Sequence, residues 1–387
     1  MKIYNLAFLL LFLYPFVSPI TDSQQKLNRN KPGVANIIFR STDGGQTWQD
    51  ISEGLPENLQ GDSFQRDGVF ANESGLYLRA ENGIYHSKPN STAPFWTKEI
   101  FPDEHSSIAP GKIGIFAYNY DGQFLQKING TSVWSPMYTN FPVKEVRTVF
   151  ETAGGTILIG SDNGLFKSTN SGKAWKQVQT GGWAMKMVES NGVLLATSQG
   201  GIIRSTDGGE NWDRVISEGG VGIDVARIQS GFAAITFSTA SNTRRVRTSY
   251  DGGKTWQPID AGLTAQASTV PADKPLSQVN PSDSVWHPIS TDLPAQASTV
   301  PADKPLSQVN PSDSVWNPIN TGLPDQAFIT SIVQVGKYFF CGHPTGIFRS
   351  SDKGKTWKLL LPSIENKVFN LYGSGKVIYA IPRNRGC

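Results

Sequence analysis

Five copies of one short pattern hold many of the side chains in this sequence that look equipped for chemistry. They read RSTDGGQTW (40–48), KSTNSGKAW (167–175), RSTDGGENW (204–212), TSYDGGKTW (248–256) and RSSDKGKTW (349–357), with the core Ser-x-Asp-x-Gly-x-x-Trp. A carboxylate near a hydroxyl can act as a general acid or base. A reaction needs groups that converge at one place, however, and five separate copies cannot do that. The same residue types fit a turn. Ser41 and Asp43 can bond nearby backbone N–H groups. Gly44 and Gly45 reach positive φ at little cost, and Trp48 can cover the apolar side. The other copies repeat the roles in Ser168, Asn170, Gly172 and Trp175, in Ser205, Asp207, Gly209 and Trp212, in Ser249, Asp251, Gly253 and Trp256, and in Ser350, Asp352, Gly354 and Trp357. Asn170 can serve the same turn in place of aspartate. All five copies are read as structural.

Chemistry must then be sought elsewhere. Glycoside hydrolysis needs two carboxylates, roughly 5–5.5 Å or 6.5–9.5 Å apart. Glu145, Glu189 and Asp224 are the candidates, provided that their strands face one another. His86, His105, His287 and His343 are scattered without metal-ligand spacing, so no metal is expected. There is no Gly-x-Ser-x-Gly elbow and no phosphate-binding loop, and no cofactor is expected. The net charge of +3, from 35 basic and 32 acidic residues, argues against nucleic acid as a partner.

The elements that would position these residues are strands. Counting the weaker positions Trp96 and Trp134, the closing tryptophans from Trp48 to Trp256 are spaced 48, 38, 41, 37 and 44 residues apart, the size of a four-stranded propeller blade. One unit shows the layout: EVRTVFE (145–151), ILIGS (157–161), LFKST (165–169) and AWKQV (174–178) read as four strands joined by glycine turns. The recurring box falls between the third and fourth. Near the N-terminus only a third and a fourth strand are present, ANIIFRS and TWQDI. Near the C-terminus only a first and a second are present, VFNLYG (368–373) and VIYAIP (377–382). Two complementary halves make one blade and close a ring. The expected fold is all-β, a seven-bladed propeller.

Two segments stand outside the repeat. Residues 1–23 carry one lysine and then an apolar run from Leu6 to Val17, the layout of a secretory signal peptide. The mature domain is expected to span 24–387, secreted and without a membrane span. The text AQASTVPADKPLSQVNPSDSVW occurs at 265–286 and again at 295–316. It reads as a duplicated Pro/Ser/Ala-rich insert, about residues 259–318, in the connection leaving the sixth blade. The two cysteines, Cys341 and Cys387, make no disulfide framework. Asn72, Asn90 and Asn129 open Asn-x-Ser/Thr sequons.

On these boxes the chain resembles the Asp-box, or BNR, repeat β-propellers. That broad group includes sialidases, xyloglucan-acting glycoside hydrolases, sortilin-type receptor domains and photosystem II assembly factors. The resemblance covers nearly all of the mature chain except the insert. It implies the fold, and it leaves function open because one fold hosts many functions. A sialidase would carry Phe/Tyr-Arg-Ile-Pro near its start. Here Phe39-Arg40 runs directly into the box, and AIPRNRG stands at the other end in the wrong order. No sialidase residue is carried over.

By analogy with other propellers, ligands sit on the face formed by second-to-third-strand turns and blade-to-blade connections. That face is expected to hold Trp183, Arg244, Arg245 and His343. An aromatic beside arginines suits a protein or glycan partner. The expected function is a secreted, non-enzymatic binding propeller. The alternative is a secreted glycoside hydrolase using carboxylates on the central face.

Overall fold

The apolar runs of the second and third strands are too continuous for a sheet with one wet face, and they need cover on both sides. In the computed structural model they receive it from neighbouring blades. The structure describes residues 36–56, 59, 68–80, 83–101, 106–137, 141–142, 144–217, 220–260, 329–365 and 367–384. The signal-peptide reading and all but the first residues of the insert fall outside them.

Seven four-stranded antiparallel sheets form the domain. Blade 1 is composite: Phe39–Ser41 and Gln49–Asp50 join Val368–Ser374 and Val377–Arg383. Its seam pairs Phe39 with Ala380 and Ser41 with Ile378. Blade 2 runs over 69–100, blade 3 over 107–136, blade 4 over 146–180, blade 5 over 184–216, blade 6 over 221–258 and blade 7 over 331–362. Each innermost strand contacts the next, and Val368–Ser374 contacts both Ser331–Val335 and Val69–Asn72. The ring is therefore closed, by the two half-blades expected from the sequence.

Burial falls from the middle of a blade to its rim. Ile157–Ser161 is buried throughout, whereas the outer strand Lys176–Thr180 is mostly exposed. The core lies between blades. Phe39 meets Phe369 edge-on at 6.2 Å, within a cluster that also holds Phe340, Ile347 and Ile378 from blades 7 and 1. The approach is close: a Cβ on Gly342 of blade 7 would lie 1.9 Å from the Phe369 carbonyl. Cys341 is fully buried in the next cluster, between blades 6 and 7, and burial pushes its thiol up.

The boxes form the third-to-fourth-strand turns and share what is here called the box face with the first-to-second-strand turns. In the first box Ser41 Oγ donates to Asp43 Oδ1 at 2.9 Å and accepts from Gly45 N–H at 2.8 Å. Asp43 Oδ1 also accepts from the N–H groups of Gln46 and Thr47. Gly44 and Gly45 have φ of 73° and 83°. Asn170 substitutes as expected, accepting from Ser168 Oγ and from Ala174 N–H at 2.8 Å. The tryptophan comes one residue before the outer strand, not within it. Trp48, Trp212 and Trp256 each donate Nε1–H to their own box glycine carbonyl at 3.1 Å.

Candidate functional site

The inner strands line a central channel of about 1310 Å³. All seven contribute to its wall. Each strand enters at the face of blade-to-blade connections, here the connection face, and ends at the box face.

At the connection face three consecutive inner strands are irregular. Register shifts fall between Val146 and Thr148, between Ala184 and Met187, and between Gly222 and Asp224. Such bulges re-aim side chains. Arg147, in the first, pairs with Asp162, which also accepts from Tyr120 Oη at 2.9 Å. The Arg147 hydrogen bond, with that of Tyr120, holds the Asp162 carboxyl below its usual range despite partial burial. Lys186, in the second, pairs with Asp224. The Asp224 side chain is only 5% exposed and accepts also from Ile332 N–H at 3.3 Å. Asp224 thus ties together the inner strands of blades 5, 6 and 7.

The three candidate carboxylates do not share a wall. Asp224 lines the channel and is ion-paired. Glu145 lies in the connection entering blade 4, where its Oε2 accepts from Asn163 Nδ2 at 3.2 Å. Glu189 lies toward the box face and accepts from Ala153 N–H at 2.7 Å. Among the described residues the other carboxylate on the channel wall is Glu73, in the blade 2 turn on the box face, away from Asp224. Among the described residues no group of His, Cys, Asp and Glu could hold a metal ion.

The four expected binding residues lie on or near the connection face, off the channel wall. Trp183 is half-buried in the connection entering blade 5, two residues before the channel-lining Met185, and its carbonyl accepts from Gln199 N–H at 3.2 Å. Arg244 is buried and donates Nη1–H to the Ile329 carbonyl at 2.6 Å. Arg245 forms a forked pair with Asp260, at 2.8 Å from Nε and 3.2 Å from Nη2. His343 is buried, its Nδ1 accepts from Thr345 N–H at 3.2 Å, and its ring meets Phe348 edge-on. His105 and His287 fall outside the described residues.

Sequence reasoning missed Lys186 at one mouth of the channel, the Arg147–Asp162–Tyr120 group on the same face, and Arg227 at the other mouth. The signal for Arg227 was available: aligning the first strands on their hairpin turns puts Glu151, Glu189, Arg227 and Gln334 at one position. Among the described residues no helix is long and apolar enough to cross a membrane.

Comparison with known proteins agrees with this architecture. The family model for the BNR/Asp-box repeat matches residues 39–50. No curated protein sequence matches the chain. The GH74 xyloglucanase from Xanthomonas campestris superposes with a TM-score of 0.53 at 14% identity, covering 87% of this chain and 54% of that one. YCF48 bound to D1 peptide gives a TM-score of 0.45 at 11% identity, covering 83% of this chain and 96% of that one. The extracellular domain of a hybrid two-component system from B. thetaiotaomicron gives 0.43 at 12% identity, covering 84% and 43%. The chain spans about half the length of the xyloglucanase. At such identities the likeness is one of fold. The chain is a seven-bladed β-propeller built on Asp-box repeats, similar in fold to the xyloglucanase.

Proposed function

We propose that the chain is a secreted, non-enzymatic propeller whose central channel receives a segment of a partner protein. The observation that carries this reading is the channel itself. Its volume of about 1310 Å³ exceeds the roughly 300–1,000 Å³ of pockets that hold small ligands. Val188, Ile223, Ala226, Val333 and Leu371 set apolar groups among the polar ones of its wall, and such a mixed wall suits an extended polypeptide. Trp183, two residues before the channel-lining Met185, is the aromatic that this reading assigns to that segment as it leaves.

Two selections on the purified protein test the reading: a displayed peptide library and a glycan array. Enrichment of peptides with apolar residues supports it. Glycan binding without peptide binding replaces the protein partner with a carbohydrate. A screen on aryl-glycosides and oligosaccharides addresses the hydrolase alternative. Turnover that disappears in Asp224→Asn or Glu145→Gln would overturn the binding reading.

A further inference from the structure

The hairpin turns at the box face are stitched together by one register position. In blade 4, Glu151 Oε2 accepts from the N–H of Lys112, in the turn of blade 3, at 2.7 Å. In blade 5, Glu189 Oε2 accepts from Ala153 N–H of blade 4 at 2.7 Å. In blade 7, Gln334 Oε1 accepts from Gln229 N–H of blade 6. Each acceptor stands one pair before the end of its hairpin, and each donor is the first residue of the preceding blade's turn.

Blade 6 breaks this rule. Its residue at that position is Arg227, paired with Phe232. A guanidinium has five N–H donors and no acceptor, so it cannot take the N–H of the blade 5 turn. That turn begins at Asn191, in a left-handed conformation with φ of 51°. Both Asn191 and Arg227 line the channel mouth. Arg227 is exposed, and among the described residues it has neither a hydrogen-bond nor an ion-pair partner. Lys337, in the next blade's turn, lines the same mouth without a carboxylate partner among the described residues. Blades 1, 2 and 3 carry Gly373, Ala71 and Pro110 at this position, which neither accept nor carry charge.

We propose that the blade 5–blade 6 seam of the channel mouth binds a carboxylate of the partner, in the place that a glutamate or glutamine of this chain fills at three other seams. Arg227 supplies a charge-assisted hydrogen bond, the Asn191 N–H a second donor, and Lys337 a favourable field. The inference rests on the channel-binding reading and adds the partner's chemistry: an acidic residue followed by apolar ones that enter the channel. The apolar side chains Val188, Ile223, Ala226, Val333 and Leu371 on the wall favour a polypeptide over an acidic sugar chain as the source of the carboxylate.

The test uses fluorescein-labelled peptides of Gly-Glu-Leu repeats and of Gly-Gln-Leu repeats, with labelled trigalacturonate as the acidic-sugar arm. Fluorescence anisotropy reads binding to the wild-type chain and to Arg227→Gln, Arg227→Lys and Lys112→Gln variants, each with an unchanged melting temperature. The expected result is at least a tenfold preference for the Glu peptide, lost in Arg227→Gln, partly kept in Arg227→Lys and untouched in Lys112→Gln. Equal binding of the two peptides overturns the proposal. So does a preference that survives Arg227→Gln. Arg227-dependent binding of trigalacturonate alone overturns the polypeptide assignment. Library-selected peptides that bind regardless of Arg227→Gln sink this inference and leave the channel reading standing, whereas no peptide binding of any kind sinks both.

Discussion

Arg349 Nη1 of blade 7 donates to the carbonyl of Gly44, in the first Asp box, at 2.7 Å across 305 residues of sequence. The contact recurs around the rim. Arg204 of blade 5 donates to Gly252 O in the box of blade 6 at 2.6 Å, and Arg40 of blade 1 reaches Pro89 O and Ser91 Oγ in blade 2. Lys167 of blade 4 pairs with Glu210 in the box of blade 5 at 3.7 Å. Each cation directly precedes the box serine or its equivalent. In blades 1, 5 and 6 the box is thus both a turn and an acceptor for the neighbouring blade.

Arg349→Ala is expected to destabilise the ring at its closure. A hydrogen bond from a charged donor contributes about 1.5–3 kcal/mol, and the lost stacking of Arg349 on Tyr338, 4.6 Å from the ring centre, adds to it. Urea unfolding should show a lower midpoint with similar slope. An unchanged midpoint would mean that closure rests on the Phe39–Phe369 cluster alone.

The box aspartates predict acid sensitivity. Hydrogen bonds from Asn211 hold Asp207 well below its usual value, those from Thr255 do so for Asp251, and those from Thr356 lower Asp352 to about 2. For Asp43 burial works the other way, but bonds from Thr47, Ser41 and Gln46 outweigh it. A carboxylate depressed in the folded state contributes stability above its unfolded pKa of about 3.9 and loses it as pH falls through the folded value. The melting temperature should therefore fall between about pH 4 and pH 2. Replacing these aspartates with Asn, as at Asn170, should flatten that limb. An acid limb identical in the Asn variants would assign it to other carboxylates.

Two box tryptophans should respond differently to losing their N–H. Trp357 Nε1–H donates to the Ile259 carbonyl of blade 6 at 2.8 Å. Trp357→Phe leaves that buried carbonyl without its donor, at roughly 1–3 kcal/mol. Trp175 Nε1 is buried without a partner among the described residues, and its ring lies edge-on to Phe141. Trp175→Phe removes an unpaired donor and should be close to neutral. Thermal melts of both variants check the contrast, and equal losses would contradict it.

Neighbouring arginines on one strand hold both ends of the segment 261–328. Arg245 grips Asp260 before it and Arg244 the Ile329 carbonyl after it. Arg245→Ala leaves a buried carboxylate unpaired and should cost on the order of 3 kcal/mol, at the low end for such pairs because the guanidinium is partly exposed. Deleting residues 265–294 should leave melting nearly unchanged, since halving a loop is worth about 0.6 kcal/mol. A large loss on deletion would mean that the insert packs as structure.

The ring was legible in the sequence because its signals are local and repeated. Gly44 and Gly45 declare a turn by themselves, and half-blades at both ends declare closure. The site was less legible because its residues take their meaning from neighbouring blades. Arg244 and Arg245 look like a basic surface pair until Asp260 and Ile329 are brought against them. Asp224 reads as an isolated carboxylate until Lys186 and Ile332 are brought against it. Arg227 stands out only beside Glu151, Glu189 and Gln334, which sequence distance separates and the ring aligns.

The most direct measurement is the affinity of a library-selected peptide for the wild-type chain and for Ala226→Trp and Ala71→Trp, which fill the channel from opposite walls. With melting temperatures matched, the channel reading predicts that both variants bind at least tenfold more weakly, about 1.4 kcal/mol. Undiminished binding to both filled variants would place the partner outside the channel and contradict the account.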